Sequence, residues 1–470
     1  MNILDDYKAG GANWTPRLEK GASSKHQAIF EALVADIASG RLRLGDRLPP
    51  QRAVAAALGV DLTTVTKAYS RARSEGIIEA STGRGSFVAV GSVENRVSAS
   101  SVAPLDLSRN SPPRCKAVDT AFSRELDHAL STQDDTDVLN YQDTGGNWTN
   151  RTAGATWLSR RLGFCPPDRV VLTSGAQSAL FAVCHLLSRK NRHVAVGQFS
   201  YPGIHTVAFQ QGLQLIPLAM DGHGIAPDAF AEACDRTEIG MLYITPTADN
   251  PTTTTMPSER REEIIQIARR HGVSIIEDDP YHDLVTNPPP PIAAHAPDLA
   301  WHIATLSKCT SPSLRLGYVA APNAESSAQI AATLQAMTMM ASPLFAAVAS
   351  RWIYSGYHQE AALLIAEENV RRQTIAANLF QDCEFEADRR TPHMWLRLPA
   401  PWRANDFVHQ CERLGVIVLG SPSFSVNSPI SEAVRISVGA APSQKALEDA
   451  LNTLRAVLTK GHLTANRAMV

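Results

Sequence analysis

Apolar and polar positions divide the chain into two regions of different period. In the first, Ile29, Leu33 and Ile37 recur four apart within SKHQAIFEALVADIASG (24–40), the spacing of one helix face, and the run stops at Gly40. A turn-rich connector, RLRLGDRLPP, leads to PQRAVAAALG (50–59), which reads as a second short helix with Pro50 in its first turn and Gly59 at its end. DLTTVTKAYSRARSEG (61–76) gives a third helix with Asp61 as its N-cap. IIEASTGRGSFVAV (77–90) reads as two short strands about a Gly83-Arg84-Gly85 tip. Residues 91–103, rich in Ser, Val and Ala, show no strong period and read as a linker. Beyond them, strand-like runs (RVVLTS, HVAVGQ, LQLIPL, IGMLYIT, VSIIED, HIATLS) alternate with helical ones such as SALFAVCHLLSRK and SERREEIIQIARRHG. That alternation predicts an α/β domain on a largely parallel sheet.

Helix, helix, turn, helix, hairpin is the order of a winged helix-turn-helix, and charge agrees with it modestly. Residues 1–90 hold 12 Lys and Arg against nine Asp and Glu, net +3, whereas the remainder is net −5. The 470 residues suffice for two or three domains, and the 19% of charged residues is ordinary for a globular protein. Seven scattered cysteines, none paired as CxxC, argue against a disulfide framework or a structural zinc. With no signal-like start and no long apolar run, the expectation is a reduced, cytoplasmic protein without membrane contact.

The second region carries the groups that an aldehyde cofactor such as pyridoxal phosphate requires. These are a lysine to form an imine, an acid for the pyridine nitrogen and donors for the phosphate. Each stands at the end of an expected strand, where open α/β sheets bind ligands. Lys308 follows HIATLS, and burial near cations would favour its neutral amine. Ser307 and Arg315 can grip a phosphate, the arginine through its fork. Asp278 lies in VSIIEDDPYHDL (273–284), three residues before Tyr281; its neighbours Glu277 and Asp279 leave open a Mg²⁺ site or a solvated acidic loop. Asn250 precedes Pro251 and can bond a ring oxygen, though Asn-Pro is also a common turn. The Ser174-Gly175-Ala176-Gln177 turn presents free N–H groups at a helix N-terminus. Tyr201, in FSYPG, suits ring stacking or a core. Arg435, inside the apolar run AVRISVG, calls for an anionic partner such as a substrate carboxylate.

In their order and spacing these motifs resemble fold type I aminotransferases over about residues 104–460. The resemblance makes Lys308 the Schiff-base lysine. Ala176, Gln177, Ser307 and Arg315 become phosphate ligands, Tyr201 the stacking ring, and Asn250, Asp278 and Tyr281 the partners of the pyridine ring. It makes Arg435 the carboxylate arginine and Tyr141, in NYQDTGG, a residue offered to a neighbouring subunit's phosphate. Residues 25–89 resemble the GntR family, in the frame G.L..GD.LP..R..A..LGV...TV..AY. Together the two resemble the MocR subfamily of bacterial regulators. Two departures stand out. Asp61-Leu62 replaces the usual Ser-Arg at the recognition helix, leaving Arg52, Thr63, Thr64, Lys67 and the wing residue Arg84 as DNA candidates. NPTTTT replaces Asn-Pro-Thr-Gly, which predicts a stiffer loop.

The resemblance thus implies a winged helix-turn-helix over 20–90, a linker over 91–103, and a pyridoxal phosphate-binding, aminotransferase-like domain with a small C-terminal α/β part over 104–465. It implies a homodimeric regulator that binds double-stranded operator DNA and senses an amino compound through an external aldimine. The rival expectation is a working aminotransferase that carries a DNA-binding module.

Overall fold

The computed structural model describes residues 14–16, 24–38, 41–42, 46–74, 77–81, 85–88, 104–131, 138–427 and 431–467. The expected linker and Arg84 lie outside them. The chain forms two compact units, residues 1–103 and 104–470.

In the first unit, helices α1 (Lys25–Ala38), α2 (Gln51–Leu58) and α3 (Leu62–Ser74) precede an antiparallel hairpin of β1 (Ile78–Ser81) and β2 (Gly85–Val88). The helical period is what closes its core: Ile29, Leu33 and Ile37 of α1 meet Val54 of α2 and Val65, Ala68, Tyr69 and Ala72 of α3. The turn between α2 and α3 depends on Gly59, whose φ of +61° lets its N–H reach the Ala55 and Ala56 carbonyls. Pro50 sits one residue before α2 rather than in its first turn. Asp61 caps α3, its Oδ1 accepting from the Thr63 N–H at 2.8 Å.

The second unit is built on a seven-stranded sheet. Its strands are β3 (Val170–Thr173), β4 (His193–Gly197), β5 (Gln214–Leu218), β6 (Met241–Ile244), β7 (Ser274–Asp278), β8 (Ala300–Thr305) and β9 (Gly317–Ala320). Their order across the sheet is β3-β9-β8-β7-β6-β4-β5. Six strands run in one direction and β9 opposes them, pairing antiparallel with both β8 and β3. Strand β9 is not legible in the sequence because it directly follows the motif of Lys308 and Arg315. Helix α4 (Ala176–Leu187) packs its Ala179, Leu180 and Val183 on the sheet beside Val194 and Ile303.

A smaller antiparallel sheet joins β10 (Phe385–Ala387), β11 (Met394–Arg397), β12 (Leu419–Gly420) and β13 (Ala433–Ile436) in the order β10-β11-β13-β12. It packs with the C-terminal helix through Leu447, Leu451 and Leu454. Leu105–Asp106, the start of this unit, pairs in parallel with Val416–Ile417. The segment that follows is thereby held between the two sheets. Among the described residues no helix is long and apolar enough to cross a membrane.

Candidate functional site

The parallel strands end on one side of the large sheet, and their C-terminal loops bound a cleft of about 340 Å³. Ala176, Gln177, Tyr201, Asn250, Asp278, Tyr281, Ser307, Lys308, Arg315 and Arg435 all line it. Tyr141 does not; its side chain is 80% exposed. Asp278 ends β7, and Ser307 and Lys308 lie in the turn beyond β8, so adjacent parallel strands bring the acid and the amine together.

Asp278 is buried, and its Oδ2 accepts a hydrogen bond from the Tyr243 hydroxyl at 2.9 Å. Its Oδ1 has no partner among the described residues. Burial pushes its carboxyl up to about 6, against the pull of the Tyr243 bond and of Lys308. The adjacent carboxylates serve other ends. Glu277 accepts from the Ile292 and Ala293 N–H groups and contacts His302 Nδ1 at 2.9 Å, and Asp279 lies 3.1 Å from His282 Nδ1. No acidic, histidine or cysteine cluster among the described residues has a metal-binding arrangement.

Burial, together with Arg435 and Arg315, lowers the Lys308 ammonium to about 8, while Asp278 opposes that shift. Its Nζ donates to the main-chain oxygen of Asn110. Arg315 stands exposed at the cleft lip with a φ of +50°. Gly175, at φ +88°, is where it passes closest: a Cβ there would lie 3.4 Å from Arg315 Nη2. The turn therefore needs glycine for its dihedral, whereas a Cβ would meet Arg315 at ordinary contact distance. Ser307 is oriented by Thr305, whose Oγ1 donates to the Leu316 carbonyl, accepts from the Ser307 N–H at 3.2 Å and lies 2.9 Å from the Ser307 Oγ. Tyr201 lies over Gly203, where a Cβ would come within 2.1 Å of its ring, and its hydroxyl donates to Gln177 Oε1 at 3.3 Å.

Arg435 is buried in β13 and meets two neutral protein acceptors. Nη1 donates to Asn250 Oδ1 at 2.7 Å and Nη2 to the Ser108 carbonyl, both neutral acceptors. A loop amide and a main-chain oxygen thus satisfy two of its donors. The Asn250-Pro251 bond is cis. In place of the glycine of the usual loop, Thr253 holds a φ of +62° and is buried, its N–H donating to the Asp249 carbonyl at 2.7 Å. A β-branched side chain in that region is uncommon, and it is held by the bonds of Asp249 to Thr252, Thr253 and Thr254.

Four neighbours of these groups were not singled out from sequence: Asn110, Tyr243, Thr245 and His393. Tyr243 had a legible signal, since it lies two residues before a loop that reads as functional. Asn110 had none. Its side chain reaches Tyr281, 171 residues away, by a connection only the fold makes.

In the first unit, Arg52 and Lys67 are exposed and Thr64 is half-buried, on α2 and α3. Thr63 is exposed, but its hydroxyl donates to Asp61 Oδ1 at 2.5 Å and so serves the helix cap. Thr66, not anticipated, also faces outward and ties α3 to α2 through Gln51 Oε1 at 2.9 Å.

Fold and cleft together define a winged helix-turn-helix joined to a domain built like an aminotransferase. A model of aminotransferase class I and II matches residues 102–454, and one of bacterial regulatory proteins of the gntR family matches residues 25–88. The HTH-type transcriptional regulator YdeF of Bacillus subtilis is 30% identical over 97% of this chain and 99% of its own length. The probable rhizopine catabolism regulatory protein MocR of Rhizobium meliloti is 26% identical over 63% of the chain and 65% of its own. Among solved structures, LysN, the α-aminoadipate aminotransferase of Thermus thermophilus, superposes with a TM-score of 0.70 at 20% identity, over 84% of this chain and 99% of that one. The chain belongs to the MocR-type family, in which a GntR winged helix-turn-helix precedes an aminotransferase class I and II domain. It is a DNA-binding transcriptional regulator built on the fold of pyridoxal phosphate enzymes.

Proposed function

We propose that the cleft holds pyridoxal phosphate on Lys308 and that the chain uses it to sense an amino-group-bearing metabolite. The observation that carries this reading is Asp278 Oδ1, a buried carboxylate oxygen without a partner, on the same cleft as an amine lowered to about 8. A pyridinium N–H would satisfy the carboxylate and keep it charged. When bound, pyridoxal phosphate supplies an aldehyde that condenses with amines and a ring that withdraws electrons from them. With its ammonium lowered to about 8, Lys308 keeps a minor neutral fraction near neutral pH and is largely neutral only above about 8. Arg315, Ser307 and the N–H groups of Ala176 and Gln177 would hold the phosphate, Tyr201 would cover the ring, and Tyr281 and Asn250 would donate to its oxygen. Arg435 keeps its Nε–H among its unpaired donors and would take the carboxylate of an amino acid.

Double-stranded DNA is the second partner, with Arg52, Thr64 and Lys67 as contacts from α2 and α3. A homodimer fits the exposed Tyr141, which as a phosphate ligand has to serve another copy's cleft.

The test is the visible spectrum of the protein loaded with pyridoxal phosphate, titrated with amino acids and amines in the absence of any oxo-acid acceptor. A lasting band shift that alters DNA affinity is the expected result. Absence of any cofactor band overturns the reading. Release of an oxo acid with accumulation of the pyridoxamine form replaces the sensor by an aminotransferase, a reading supported by the completeness of the set around Lys308.

A further inference from the structure

Asn110 reaches the cleft from the segment that starts the second unit, and its amide can point only one way. His393, buried beneath it, places Nε2 3.1 Å from the Asp249 carbonyl. A carbonyl only accepts, so Nε2 carries the hydrogen and Nδ1 of the neutral ring carries a lone pair. Burial and Arg435 keep the ring neutral, its pKa pushed down to about 3. Nδ1 faces Asn110 Nδ2 at 3.4 Å, and the same Nδ2 donates to the Tyr281 hydroxyl at 2.6 Å. Both amide hydrogens are thereby used. Reversing the amide would set Oδ1 against the Nδ1 lone pair, so the imidazole fixes the orientation. The remaining atom, Asn110 Oδ1, is buried without a hydrogen-bond partner among the described residues, on a residue that lines the cleft.

A buried acceptor left open costs free energy, and a site built around one rejects ligands that cannot satisfy it. We propose that Asn110 Oδ1 is a specificity subsite that accepts a hydrogen bond from the effector's side chain, so that the effector is an amino acid bearing an O–H or N–H donor beyond its α-amino group. This rests on the reading of the cleft given above and deepens it. Three functions divide the ligand: Lys308 meets the amine, Arg435 the carboxylate, and Asn110 the side-chain donor. His393 is a positioning residue, acting through the amide it orients.

Three pairs of amino acids of nearly equal shape separate the donor from size: L-serine and L-2-aminobutyrate, L-homoserine and L-norvaline, L-asparagine and L-leucine. Each is titrated into the full chain loaded with pyridoxal phosphate, and its apparent Kd is read from the visible spectrum. The ratio within a pair is compared between wild type and Asn110→Ala, so that any change in cofactor affinity cancels. Wild type is expected to favour the donor-bearing member of at least one pair by about tenfold, and Asn110→Ala to bring that ratio near one. The second measurement needs no cofactor: ¹⁵N-histidine spectra of the unloaded protein should show one ring held as the neutral Nε2–H tautomer down to pH 5 and lost in His393→Gln. A wild type that responds to amines without preference, a preference that survives Asn110→Ala, or a His393 that is protonated at pH 5 overturns the subsite while leaving the cofactor reading intact. A wild type that responds to no amine overturns both.

Discussion

Asp278 is asked to be charged where charge is disfavoured. Burial raises its carboxyl from the usual range to about 6, so the folded protein prefers the protonated form. The stability this preference confers is complete below pH ~4 and is lost as pH rises through about 6. Asp278→Asn, neutral throughout and still able to accept from Tyr243, should therefore be more stable than wild type at pH 7.5, by on the order of 2 kcal/mol. At pH 4 the two should be equal. Thermal unfolding of the unloaded proteins at the two pH values checks this, and a wild type that melts higher at pH 7.5 would sink it. With pyridoxal phosphate added, the order should reverse, because only the carboxylate can pair with a pyridinium. At this scale the sequence was informative wherever a residue type is unusual in its setting: a lysine after a buried strand, a carboxylate at a strand end, an arginine inside an apolar run. It was silent on Asn110 and His393, whose roles arise from a junction of segments far apart in the chain.

The elements follow from periodicity more directly. Val65, Ala68, Tyr69 and Ala72 repeat at helical spacing and turn one side of α3 inward. Thr63, Thr66, Lys67 and Ser70 are left facing out by the same repeat, and that outer face can enter a major groove. The cap shows why a motif frame alone overreached: Asp61 fills the N-cap, and in doing so recruits the Thr63 hydroxyl that the frame offered to DNA. Lys67 has no such engagement among the hydrogen bonds described. Lys67→Ala should lower DNA affinity by roughly tenfold at low salt and reduce the slope of log K against log salt by about one, the signature of one phosphate contact. Fluorescence anisotropy on a duplex selected by the wild-type protein, across a salt series, measures both. An unchanged slope would remove Lys67 from the interface. The strands show the complementary limit. Runs such as RVVLTS and IGMLYIT were legible though their strands are four residues long, whereas β9, antiparallel inside a parallel sheet, takes its identity from its neighbours β3 and β8.

For the whole molecule, the division into two units matters more than any single contact. The cleft is completed within residues 104–470, since its lining starts at Ser108 and ends at Arg435, and the helices for DNA lie within residues 1–103. A signal from one to the other is therefore a difference in ligand affinity between two states of the protein, and no ligand shifts states that it binds equally well. Within the cleft, the segment Ser108–Asn110 is the part nearest in sequence to the DNA-binding unit. It contacts Arg435 through the Ser108 carbonyl, Lys308 through the Asn110 carbonyl and Tyr281 through the Asn110 amide. A ligand that claims Arg435 and the lysine nitrogen competes for those same donors, which gives the two states different interactions at a defined place. Lys308→Ala removes the amine and should leave affinity for bare DNA within about threefold of wild type, because α2 and α3 fold on a core of their own. It should also abolish any change in that affinity when the amino acid that most perturbs the wild-type spectrum is added. Anisotropy with and without that amino acid, on both proteins, separates the outcomes. A mutant that responds like wild type would mean the signal does not pass through the lysine, and a mutant that no longer binds DNA would mean the units are not independent in the way their separate cores imply.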